Sequence, residues 1–471
     1  MKSNSISYLP RPFCNKAIIA FIVALGLCTI IFRVAPLPWL WVLFGFIEVL
    51  GFFFFTNLLS KNWNQITNGL FIRKLFWYSL IIRVIWVVFS YFFFIAQTGK
   101  PFDFVAADSY SYHNWAIEAS DAFSRKGFSQ FFESRGGYSD LGYPIYLTLV
   151  YVVFGQSIII ARLLFAVIGA WSCVLIYRLA KRNFGEAPAR IAALLAMLLP
   201  NLIYYTGLHL KEPLMVFLII AFIERSDEFL RNKQLRLVDM ILIALIGGVL
   251  FFFRTVLGIS ALFALFSSLV FSTIKIGNWG KRILLGSWVI VLIWVLFSAR
   301  IQYEIDYLIE NIDAQEQNMR YRAEREGGNK LSEYGSVFVF VPFMFVAPFP
   351  TFVNIEPQKQ QMLLAGGYFV RNIYSFFVIL ALILLVKRRM LKKHVLILSF
   401  IMAYLAILAR SPYALSERFH MPVVPFLLIL GAYGITQLNI KNKKYYTPYL
   451  IMIIIIVLGW NWFKLAGRGM V

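Results

Sequence analysis

Apolar and charged positions alternate in long blocks along this chain, with no short period. Runs long enough to approach the roughly 30 Å of hydrocarbon in a bilayer recur from Ala17 to Phe463, each closed by a short polar or charged stretch. Measured against a spanning helix, they predict about thirteen spans: 17–34, 38–58, 71–96, 158–179, 188–206, 211–224, 238–252, 255–274, 283–300, 366–386, 394–409, 423–437 and 447–463. The expected fold is an all-α polytopic membrane protein, one transmembrane domain over residues 1–471, since no Gly-, Pro- or Ser-rich linker separates a second body.

Charge orients the pattern. With a cytoplasmic N-terminus, the basic loops 61–74, 181–190, 224–236, 275–282, 387–393 and 441–444 all fall on the inside. The mixed-charge loops 97–157, 301–365 and 410–422 then fall outside, provided that the apolar segments 142–155 and 337–352 dip in or lie on the surface without crossing. Pro342, Pro348 and Pro350 remove backbone donors in the second of these and favour a dip. Lys2, Arg11 and Lys16 precede the first apolar run like a signal peptide, but no small-residue cleavage site follows, so an uncleaved first span is expected.

Composition agrees. Of 471 residues 60% are hydrophobic and 14% charged, and the mean hydropathy of +0.73 excludes a water-soluble domain. The excess of 45 Lys+Arg over 23 Asp+Glu lies between apolar segments, where it sets topology; no nucleic-acid partner is implied. Cys14, Cys28 and Cys173 lie in or beside spans, so no disulfide framework is expected.

Candidate chemistry gathers outside. Asp103 and Asp108 stand just past the end of a span, where a dry setting raises a carboxylate's pKa toward that of a working base. Asp108 is the better candidate base, with Tyr112 and His113 one helical turn on, although it also suits the start of a helix near Ser109. His113 has no second His nearby in sequence and reads as a polar surface residue; no metal site is indicated. Lys211, Arg254, Arg410 and Arg418 map to outer span ends, Glu212 adjoins Lys211 as a possible ion-pair partner, and His420 follows in the last outer loop. The acidic and basic residues of 301–333 read as a charged outer helix. Glu48 excepted, the notable charges stand at span ends, which argues against a transporter. There is no phosphate-binding glycine loop, dinucleotide fingerprint, zinc spacing or fixed-period repeat.

A membrane-exit Asp108, then Gly142-Tyr143-Pro144-x-Tyr146-Leu147 ahead of Phe154-Gly155, and Ala161-Arg162 opening a span together resemble the GT-C superfamily of polyprenyl-phosphate-sugar-dependent glycosyltransferases. The likeness is greatest to glycosyltransferase family 39, which holds protein O-mannosyltransferases and the lipid A aminoarabinose transferase. It extends through 178–185, 189–200 and Leu210-Lys211-Glu212-Pro213-Leu214, and weakly through 417–425. Two departures stand out: about three spans precede the Asp-bearing loop where the family usually has one, and the paired Asp-Glu of protein O-mannosyltransferases is absent.

The resemblance implies a GT-C fold in the inner (cytoplasmic) membrane with a periplasmic site. It implies an inverting transfer from a polyprenyl-phosphate-linked sugar to a lipid, glycan or protein acceptor, with Asp108 as base. The outer cations, with Tyr112, His113, Glu212 and His420, would bind substrate, and no cofactor is called for. A surface polysaccharide polymerase or ligase, and a lipid-linked sugar transporter or flippase, are the alternative expectations.

Overall fold

The structure, a computed structural model, describes residues 7–126, 140–232, 236–271, 287, 324, 341–409, 411 and 413–470. The predicted span 283–300 apart from Ser287, the charged stretch 301–333 apart from Glu324, the basic loop 275–282, and Arg410 lie outside the described residues. What is described is 81% helix, with no strand.

The helices needed below are α1 (Arg11–Ile31), α2 (Trp39–Asn62), α3 (Asn68–Thr98), α4 (Ala107–Lys126), α5 (Gly142–Phe154), α6 (Ile158–Phe184), α7 (Glu186–Leu198), α8 (Pro200–Thr206), α9 (Glu212–Arg231), α10 (Leu237–Phe253), α11 (Thr255–Phe271), α12 (Ala365–Lys387), α13 (Val395–Ala409), α14 (Glu417–His420), α15 (Val424–Thr436) and α16 (Tyr446–Ala466). Every predicted span outside 283–300 holds a helix, but the thirteen do not all qualify as crossings by themselves. Among the described residues six helices are long and apolar enough, α1, α2, α3, α6, α12 and the segment Ile440–Ala466, and a seventh span results if the bent pair α7 and α8 counts as one. The 13 residues of α5 rise only about 20 Å, too little to cross.

Burial separates a hub from a rim. All of α15 is buried, as expected of a helix apolar on every side, and it packs on α12 and α7. By contrast, the apolar windows of α2 and α3 are 28% buried inside the protein, which leaves most of their aromatic surface for lipid.

The loop contacts sort the chain into two ends. At the basic end, Arg190 donates to Trp63 O at 2.6 Å and Ile66 O at 2.8 Å, Arg182 pairs with Glu224 at 2.8 Å and Asp227 at 3.0 Å, and Asn183 receives Arg231 at 2.9 Å. At the mixed-charge end, Lys211 reaches Phe253 O at 3.2 Å, Arg162 reaches Pro101 O, and Asn354 N donates to Ala35 O at 3.0 Å. These pairings join loops that the charge pattern places on the same side. A helix that carried its loops to the wrong end would break them.

Irregular backbone inside the bundle is satisfied by side chains. The described part of the predicted dip is a 3-10 turn, Val341–Phe345, followed by irregular residues that are almost fully buried. Asn372 donates to Val346 O at 2.6 Å and Pro348 O at 2.9 Å, and Ser375 donates to Phe345 O at 2.6 Å. Asn461 receives Phe352 N at 2.8 Å and donates to Pro350 O at 3.1 Å. Such backbone is tolerated at depth only when protein groups replace the missing water.

The same rule explains the 50° bend between α7 and α8. Pro200 has no N–H to give the carbonyl four residues back, and Arg83 Nη2 supplies that bond, to Ala196 O at 3.2 Å. Arg83 thereby corrects the expectation that, Glu48 apart, charges stand at span ends: it lies mid-way along α3 and is 1% exposed.

Exposed Ser111 belongs to the mixed-charge end and exposed Lys392 to the basic end. Single cysteines at Ser111 and Lys392 are expected to react with a membrane-impermeant thiol reagent from opposite sides of sealed vesicles; reaction from one side contradicts the two-ended arrangement.

Candidate functional site

At the mixed-charge end, four chain segments deliver charged side chains to one place. Asp108 comes from the first turn of α4, where a carboxylate meets the positive end of the helix. Lys211 and Glu212 come from the start of α9, Arg254 from the corner between α10 and α11, and Arg418 from α14. Arg418 joins them. Its Nη1 pairs with Asp108 Oδ2 and its Nε with Glu212 Oε1.

Exposure assigns these groups different tasks. The Asp108 side chain is 53% exposed, that of Arg418 20%, and that of Glu212 0%. Glu212 is therefore a buried anchor for the guanidinium, and Asp108 is the solvent-facing carboxylate of the group. Lys211 pairs with Asp140 and Glu212 with Arg418, so the alternative of a mutual Lys211–Glu212 pair is not formed. Arg254 lies 4.3 Å over the Phe419 ring, its Nη1 has no hydrogen-bond partner among the described residues, and it makes no ion pair there. Tyr112, one turn after Asp108, feels the charges of Arg418, Glu212, Asp108 and Arg254, and burial pushes its phenol up to about 12.

Other candidates stand apart from this group. Asp103 is 3% exposed and accepts from Ser109 Oγ at 3.2 Å, which ties the loop to the start of α4. Burial raises its carboxyl above the ordinary range, and the charges of Arg162 and Arg418 pull it partly back. The His113 Nδ1 meets Tyr151 Oη at 2.7 Å, and that hydroxyl meets His209 Nε2 at 3.2 Å. Burial lowers the pKa of His113, so the neutral ring is favoured.

His420 is fully buried, and it does not line the open cluster. Its Nε2 faces Ala414 O and its Nδ1 faces Arg371 Nη2, each at 2.6 Å, and Arg371 pairs with Glu417 at 3.0 Å. The adjacent residue Arg418 thus projects from a loop held rigid by a buried network. Arg410 lies outside the described residues.

His209, Tyr151 and Asp140 escape sequence reasoning, and Arg162 enters it only as part of the resemblance, without a role. Arg162 has a usable signal, a cation opening an apolar run; it is 0% exposed, and its Nε and Nη1 lack partners among the described residues. Nothing in the spacing links His209 to His113, 96 positions earlier, although their rings lie 5.7 Å apart. Among the described residues no three His, Cys, Asp or Glu side chains gather as a metal would require. Comparison with protein-family models, curated proteins and solved structures finds no match for this chain.

The raised Asp103 carboxyl gives a signed expectation. Its folded pKa exceeds its unfolded one, so it favours folding at low pH and opposes it once pH rises through the folded value. Asp103→Asn, which keeps an acceptor for Ser109, is expected to raise thermal stability at neutral pH, and the gain should vanish toward pH 4. A loss of stability at neutral pH contradicts this assignment.

Proposed function

We propose that this chain is an inverting glycosyltransferase of the GT-C kind, acting at the periplasmic face of a cytoplasmic membrane. It moves a sugar from a polyprenyl-phosphate donor to a lipid, glycan or protein acceptor. One observation carries the reading: an exposed carboxylate, Asp108, shares a rim of the helical body with three cations, one of which, Arg254, makes no ion pair among the described residues. The resemblance of 100–225 to glycosyltransferase family 39 supplies the reaction class.

The chemistry follows from the placement. The acceptor hydroxyl or amine gives its proton to Asp108 as its lone pair attacks the anomeric carbon. The bond from that carbon to the phosphate oxygen breaks on the opposite face, inverting the centre, and the polyprenyl phosphate leaves with the electron pair. Its growing charge needs fixed cations. Arg254 meets it first, because Asp140 already holds Lys211, while Asp108 and Glu212 hold Arg418. The Arg418 pair holds Asp108 aimed, and Tyr112 walls the cluster on its α4 side.

A second reading, a lipid-linked sugar transporter, gains from Arg83, a buried cation at mid-span of the sort that marks a transport path. Product decides between them. Mass analysis of lipid-linked sugars and surface glycans, with and without the protein, is expected to show a missing sugar in the acceptor and an accumulated lipid donor. In the purified protein, Asp108→Asn is expected to bind donor and to lose about 10²–10⁴-fold in turnover. Near-native turnover in that variant removes Asp108 as base, and translocation of the donor without any new glycosidic bond favours the transporter.

A further inference from the structure

Arg83 carries more charge into the protein than the helix break requires. The carbonyl left free by Pro200 needs one donor, and an uncharged amide could supply it. Instead the middle of α3 holds a guanidinium that is 1% exposed, whose charge a membrane interior penalises heavily unless it finds an anion. Its neighbours are all neutral: Nη1 donates to Ser79 O at 3.3 Å and to Ser79 Oγ, and Nη2 donates to Ala196 O at 3.2 Å and to Cys173 Sγ at 3.7 Å. Among the described residues it makes no ion pair, and its Nε has no partner.

Next to that group is a cavity of about 20 Å³, lined by Arg83, Gly169, Ser172, Cys173, Tyr205 and Thr206 among others. This is room for one water or one small ion and too little for a phosphate headgroup. Ser172 and Thr206 already donate their hydroxyl protons to Ile168 O and Ile203 O. Gly169 lets the Arg83 side chain lie close against α6: a Cβ there would come within 2.7 Å of Nε and 2.9 Å of Cδ, so Arg83 would have to shift.

We propose that this cavity is a binding site for a small monovalent anion of the size of chloride. The ion accepts from Arg83 Nε and neutralises the guanidinium, so that the charge at mid-span and the capped break between α7 and α8 form one neutral unit. A water molecule would fill the space and satisfy Nε, but would leave the charge uncompensated.

Thermal unfolding of the purified protein in nanodiscs, in sodium chloride and in sodium gluconate of equal ionic strength, tests the assignment. Chloride is expected to raise Tm saturably, by roughly 3 °C or more at saturation. Arg83→Gln, which keeps a donor for Ala196 O, should show the same Tm in both salts. Gly169→Ala retains the charge but pushes Nε out of its place, since the new Cβ would lie 2.7 Å from it, and it too should lose the chloride effect; it decides the matter if Arg83→Gln does not fold. A wild-type Tm indifferent to the salt exchange means that the cavity holds only water, and a chloride effect that persists in Gly169→Ala places the anion elsewhere. Either result overturns the proposal.

Discussion

Hydrocarbon offers no hydrogen bonds, so each polar group this chain carries below its rims must find its partner within the protein. That constraint organises the fold more visibly than apolar packing does. The carbonyls of the buried strap after Val341 are met one by one by Asn372, Ser375 and Asn461, and the loop before α3 is gathered by Arg190. Where Pro200 removes a donor, Arg83 reaches across from another helix to replace it. The side chains that do this come from regular, well-packed helices, so the irregular segments inherit their rigidity.

At the mixed-charge rim the same requirement produces the candidate site. Glu212 begins a helix inside the body, where an unpaired carboxylate is costly, and Arg418 satisfies it from a different segment. Having been drawn inward, that guanidinium still has a free side, and Asp108 occupies it from the solvent side. Burial thereby converts a structural need into an aimed, exposed carboxylate. Arg371, Glu417 and His420 do the corresponding work beneath, holding the short helix from which Arg418 projects. The proposed transferase chemistry uses the outermost layer of this stack, and the inner layers fix its position.

Much of the fold was legible because its signals are local. Apolar runs bounded by charges marked the apolar helices from α1 to α16, though α1 begins before its run, α9 ends after its run, and the polar α4 and short α14 match none, and the basic loops identified one end. The number of crossings was less legible. Runs such as 238–252 and 423–437 are apolar apart from Asp239, Thr436 and Gln437, yet their helices have 17 and 13 residues, and α15 is so deeply enclosed that its composition reports burial as much as lipid. Hydropathy does not distinguish a helix facing hydrocarbon from one facing other helices.

The site was half legible for a related reason: Asp108, Glu212, Arg254 and Arg418 announce themselves as charges at span ends, but their partners depend on which ends adjoin. The sequence neighbours Lys211 and Glu212 turn to different partners, and His420 turns inward while Arg418 turns outward.

The account rests on Arg418 being the counter-charge that makes a buried Glu212 tolerable and an exposed Asp108 fixed. A double-mutant cycle in thermal or denaturant unfolding measures this directly. Arg418→Met alone leaves Glu212 buried and uncompensated and is expected to cost roughly 3–5 kcal/mol. Glu212→Leu combined with Arg418→Met should recover most of that loss, because neither charge then remains. Additive effects of the two substitutions, with no recovery in the double variant, would contradict the claim that this pair holds the site together.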